Sequence, residues 1–225
     1  MLSYDLYLKE GAARLAEKFN PATTAHIAVD VHDLYLSPAI PIHRKSNDVK
    51  SYFERAAALT GRLAGFADNL RQAGIQNIWI RHDVRLKEHD FETGILTGSS
   101  AEKMAKLSEY KVRSMKLSVP FDAEKDALVD KIGFNAFLRT GLAENLHEKK
   151  IKTVFISGGR QEICVSATAF GATQAGFNTF IVDDLLFETN PLSILDRDVF
   201  YEDRADNNIY VVTTPHVQAL LKPAP

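Results

Sequence analysis

The 225-residue chain carries one cysteine, Cys164, and that count limits the chemistry available. No intramolecular disulfide can form, and neither a Cys-rich zinc site nor a dithiol redox pair can be built. The thiol is either a small buried apolar group or a nucleophile. Its position favours the second role. Cys164 follows Gly158-Gly159-Arg160 at the expected start of a helix. Unpaired N–H groups and the positive end of the helix dipole would there favour a thiolate and hold an oxyanion. Asp30 and Lys131 stand at two comparable places. Asp30 lies near the end of the apolar run His26-Ile27-Ala28-Val29-Asp30-Val31, and Lys131 closes Ala127–Lys131. A carboxylate at the end of a buried strand is costly without a partner or a task. Beside a thiol, Asp30 could take its proton and later hand it to a departing amine, while Lys131 would keep Asp30 ionised and stabilise the thiolate. A plainer role stays open for each: a helix-capping carboxylate, and a surface lysine beginning a loop.

Other chemistries find less support. There is no G-x-S-x-G elbow and no G-x-x-x-x-G-K-[ST] loop, and Ser157-Gly158-Gly159-Arg160 is too short for a dinucleotide fingerprint. His82-Asp83 and His89-Asp90 could suggest a metal, but they fall in a loop without a clear third ligand. Net charge is −2, from 27 basic and 29 acidic residues, so nothing points to nucleic acid or an anionic membrane. The start, MLSYDLYLKEG, lacks the pattern of a secretory signal, and no apolar run approaches a membrane span. The expectation is a cytoplasmic protein with no cofactor and no bound metal.

The elements that must position these residues follow from periodicity. Helices are expected over about 4–19, 49–73, 135–147 and 162–175, with a shorter one near 101–109 and a last one capped by Thr214. In the first, Leu6, Leu8, Ala12, Leu15 and Phe19 are the expected inner face, and in the third Phe137, Leu138, Leu142 and Leu146. Buried strands are expected at 26–31, 75–81, 127–131, 152–157, 178–182 and 208–212. Their alternation implies an α/β fold, a three-layer α-β-α sandwich around a mostly parallel sheet of about six strands, with residues 1–225 as a single domain. In such sheets ligands bind beyond the carboxyl ends of the strands, where Asp30, Lys131 and Cys164 all lie. Residues 83–125 are weakly patterned and fit a lid or pocket wall.

With the motifs placed, the chain resembles the isochorismatase-like cysteine hydrolases, which include nicotinamidases and N-carbamoylsarcosine, ureidoacrylate and maleamate amidohydrolases. Three segments carry the resemblance: Ala28-Val29-Asp30-Val31-His32-Asp33, Lys131-Ile132-Gly133-Phe134-Asn135-Ala136-Phe137, and Ile156–Val165 with the small residues that follow it. Their order and spacing span about residues 25–220. The resemblance implies a catalytic triad of Asp30, Lys131 and Cys164, a cis Gly159–Arg160 peptide, and an oxyanion hole made by the Arg160 and Cys164 backbone N–H groups. It departs from the family pattern at His32 (usually Gln), at Asn135 (usually Ser), and at Arg160 and Gln161. The nicotinamidase metal signature is not reproduced around Asp83.

The implied activity is cysteine-dependent hydrolysis of a small carboxamide or ureido substrate through a thioester, with ammonia released. The alternatives are a vinyl-ether hydrolase in which Asp30 is the acid and Cys164 is incidental, and a non-catalytic scaffold. Arg81 and Arg160 are candidate carboxylate clamps, and His32, Phe134 and Asn135 candidate pocket residues. The family implies a homo-oligomer, a dimer or tetramer.

Overall fold

In a computed structural model, residues 3–37, 49–83, 115–187, 201–202, 204–205 and 207–221 are described. Their elements are α1 (Tyr4–Lys18), β1 (Thr24–Val29), α2 (Asp33–Leu36), α3 (Val49–Gln72), β2 (Gln76–His82), β3 (Ala127–Lys131), α4 (Leu142–Glu148), β4 (Thr153–Gly159), α5 (Ser166–Gln174), β5 (Asn178–Phe187), β6 (Ile209–Val212) and α6 (Thr214–Leu221). The helix expected at 101–109 and the pair His89-Asp90 lie outside the described residues.

The six strands form one sheet in the order β3-β2-β1-β4-β5-β6, and every pairing is parallel. This is a doubly wound sheet, with connections running outward from β1 in one direction and from β4 in the other. The two halves meet between β1 and β4, the switch point at which sheets of this kind bind their ligands. Both faces are covered, so the inner strands read as continuous apolar runs: all six residues of β1 and all seven of β4 are buried. Successive side chains serve opposite layers. Phe155 joins Phe66, Leu63, Leu70 and Trp79 on the α3 side, while Val154 and Ile156 join Leu142, Leu146 and Ile181 on the other.

Helices α1, α4 and α6 differ from expectation. In α1 the buried stripe is Tyr7, Gly11 and Leu15, and Leu6 is exposed. Gly11 explains the rotation: a Cβ there would lie 1.8 Å from the Val211 carbonyl oxygen, so its bare backbone lets α1 settle directly on β6. The helix expected from 135 begins only at Leu142. Arg139 and Gly141 both have positive φ, which interrupts a continuous helix, and Leu138 is turned outward at 60% exposure. Thr214 is the first residue inside α6 rather than its cap, and its N–H is taken by the Asp184 carboxylate at 2.8 Å.

Candidate active site

Asp30 follows β1 with φ 55°, a conformation Asp tolerates better than most residues, and its N–H is held by the Ile80 carbonyl at 2.9 Å. Lys131 ends β3, two strands away, in register with His82. Its long side chain spans β2 to reach the end of β1. Both groups are fully buried, with the Lys131 ammonium 3.0 Å from Asp30 Oδ2. The same ammonium donates to the Gly133 carbonyl at 2.9 Å and lies 3.5 Å from Cys164 Sγ. The sheet therefore brings the three residues into one buried cluster, and burial of the ion pair is tolerable because each charge has the other.

The segment after β4 positions the thiol. Gly158 has φ 98°, and a Cβ on it would meet the Val29 carbonyl oxygen at 2.1 Å, so only glycine permits this approach of β4 to β1. The Gly159–Arg160 peptide is cis. Cys164 does not sit in the first turn of a regular α-helix, as the sequence suggested. Residues Gln161–Val165 form a wide π-type turn that precedes α5. The Arg160 carbonyl accepts from Ile163 at 3.2 Å and from Val165 at 3.1 Å, the second bond spanning five residues.

The electrostatics also correct the expected thiolate. Burial pushes the Cys164 thiol well above its usual range, and the adjacent Asp30 carboxylate pushes it further. Lys131 and the Arg160 backbone N–H oppose this without overcoming it. The resting group is a thiol with a carboxylate and an ammonium at hand.

The remaining candidates separate into two groups. His32 is fully buried beside Asp30, with Nε2 3.9 Å from Oδ1. Phe134 is 38% exposed on the loop after Lys131, and Arg160 is half-buried at the cis peptide. Arg81 does not face this cluster as a free clamp. Its Nε and Nη2 grip the Asp130 carboxylate at 2.7 and 2.9 Å, and Nη1 holds the Met115 carbonyl at 3.2 Å. Alternation along the strand sends His82 inward instead. Asn135 is a local turn residue whose Oδ1 accepts from the Phe137 N–H at 2.8 Å.

The sequence marked Thr168 only as one of the small residues in the helix after Cys164, without a role of its own. Its Oγ1 accepts from the Ala136 N–H at 3.1 Å and donates to the Phe134 carbonyl at 3.4 Å, joining the helix after Cys164 to the loop that carries Gly133. The available signal was its place four residues beyond Cys164, on the same helical side. Among the described residues, no group of three or more His, Cys, Asp or Glu side chains could hold a metal ion.

A family model described as the isochorismatase domain matches residues 24–213. The chain belongs to the isochorismatase-domain family. It is thereby placed among hydrolases. The fold is similar to that of a cysteine hydrolase from Pseudomonas syringae pv. phaseolicola 1448A, with TM-score 0.67 and 17% identity over 90% of this chain and 94% of that one. N-carbamoylsarcosine amidase from Thermoplasma acidophilum gives 0.63 and 16% over 85% and 96%. A pyrazinamidase of Pyrococcus horikoshii, solved in complex with zinc, gives 0.64 and 17% over 85% and 99%. At these identities the likeness establishes the fold. No curated protein matches the sequence at a significant level.

Proposed function

We propose that this chain is a cysteine-dependent amidohydrolase that cleaves a small carboxamide or ureido substrate. The observation that carries the reading is the convergence of Lys131 Nζ on both Asp30 Oδ2 at 3.0 Å and Cys164 Sγ at 3.5 Å, beyond the carboxyl ends of the central strands. Asp30 removes the thiol proton as Sγ attacks the carbonyl carbon. A thiol raised by burial and by Asp30 suits this order, since thiolate forms only as it is consumed. The resulting oxyanion is assigned to the backbone N–H groups of Arg160 and Cys164. The C–N bond then breaks as Asp30 returns the proton to nitrogen, and ammonia leaves. Water, deprotonated by Asp30, adds to the thioester, and collapse regenerates the thiol. Lys131, in contact with both Asp30 and Cys164, offsets the negative charge as it passes between them. Phe134 and the Arg160 side chain are the proposed pocket contacts on the open side.

The test is a screen of small amides and ureido acids for ammonia, run beside an assay for pyruvate from a vinyl-ether substrate. Ammonia release that collapses in Cys164→Ala supports the reading. Pyruvate release that survives the same substitution sinks it in favour of vinyl-ether hydrolysis.

A further inference from the structure

The two oxygens of Asp30 are not equivalent. Among the described residues neither buried oxygen accepts an N–H or O–H in hydrogen-bond geometry, but Oδ2 has the Lys131 ammonium at 3.0 Å as an ion pair, and Oδ1 faces His32. The nearby imidazole is that of His32, with Nε2 3.9 Å from Oδ1. That nitrogen accepts the His82 backbone N–H at 3.4 Å with its one lone pair, so Nε2 carries no proton and the ring proton belongs on Nδ1. A neutral His32 therefore withholds a proton from Oδ1.

We infer that His32 is a positioning residue that keeps Asp30 Oδ1 open as the proton-accepting oxygen, and that protonation of His32 at Nε2 closes it. A protonated Nε2 would release the His82 N–H and donate to Oδ1, and Asp30 could then no longer take the thiol proton. Among the described residues, the titratable groups near His32 come from the strand ends and from α2. Asp30 and, behind it, Lys131 come from the ends of β1 and β3, and the buried His82 from the end of β2. Tyr35 of α2 packs its ring 5.1 Å from the imidazole and places its hydroxyl 3.4 Å from His82 Nδ1.

The catalytic arm of the test rests on the amidohydrolase reading; the spectroscopic arm does not. In ¹⁵N-labelled protein at neutral pH, His32 should show a protonated Nδ1 and a bare Nε2. On acidification, its Nε2 and the Asp30 carboxyl carbon should shift in one step, and His32→Gln should remove that step. In activity, the acid limb of kcat/KM should coincide with the His32 step and move at least one pH unit lower in H32Q. A purely structural role would instead lower the rate by the same factor at every pH. A protonated Nε2 at neutral pH, or a limb unmoved in H32Q, would overturn the inference. Absence of any ammonia release would count against the amidohydrolase reading alone, because the tautomer and the shared shift are read without turnover. If H32Q fails to fold, those two wild-type measurements still decide.

Discussion

At the scale of single residues, the question is what a buried thiol gains from its neighbours. A cysteine poised as a thiolate would be flanked by positive charge and open to solvent. Cys164 is instead 3% exposed, and burial together with the Asp30 carboxylate raises it. It should therefore be a poor target for alkylation at rest. Intact-mass measurement with limiting iodoacetamide at pH 7.5 should find it slower than free cysteine, with the rate still climbing above pH 9. A fast, selective reaction at neutral pH would mean that Lys131 outweighs burial. The clustering of Asp30, Lys131 and Cys164 was legible because Asp30 and Lys131 stand at the ends of readable apolar runs and Cys164 follows the glycine pair that closes β4. The protonation state of Cys164 was not, because it depends on how three strand ends converge, and no local pattern encodes that distance. Arg81 misled for a related reason: a strand-end arginine reads as a clamp until the edge strand supplies Asp130 beside it.

At the scale of elements, β1, β2, β4 and α3 are held in register by a polar chain inside an apolar layer. Ser157 is 2.8 Å from His26 Nε2, His26 Nδ1 is 2.8 Å from Asn77 Oδ1, and the Asn77 amide donates to the Ala67 carbonyl at 3.1 Å. The last bond fixes the amide orientation, so His26 donates from Nδ1 and accepts from the Ser157 hydroxyl. The arrangement resembles a serine–histidine–asparagine catalytic set, but Ser157, His26 and Asn77 are fully buried, which leaves it structural. Burial lowers His26 from 6.5 to about 4. A histidine depressed in the folded state favours folding fully above pH 6.5, and that contribution is lost as the pH falls towards 4. The loss should reach up to about 3 kcal/mol. Urea unfolding at pH 7 and pH 4.5 reads it, and His26→Gln should flatten the slope. An unchanged slope in that variant would place the acid sensitivity elsewhere.

Thr168 makes the second prediction at this scale. Thr168→Val leaves the Ala136 N–H unsatisfied, at a cost of about 1–3 kcal/mol. It also frees the loop that carries Gly133, the Lys131 acceptor. Thr168→Ser should restore both stability and activity, and equal loss in the two variants would contradict a hydrogen-bonding role. The broken helix at 135–141 belongs here as well. Its apolar residues have helical spacing, but positive φ at Arg139 and Gly141 breaks it, and a non-glycine residue in that region gives little warning in a sequence.

At the scale of the whole molecule, the strand order places the cluster where a doubly wound sheet leaves room for a ligand. Five of the expected strands agree with the structure to within two residues, and β5 runs on to Phe187, past a register shift against β4 at Ile156/Gly158. The layered architecture was legible because burial on both faces turns the inner strands into unbroken apolar runs. The strand order itself was not, since periodicity marks the strands and says nothing of which neighbours pair. The proposal that Cys164 is the nucleophile is tested most directly by ammonia release from a panel of small carboxamides and ureido acids, comparing wild type with Cys164→Ala at matched thermal stability. Wild type should release ammonia from at least one compound, and the alanine variant should be slower by a factor of at least about 10³. Undiminished release by the alanine variant would contradict the mechanism.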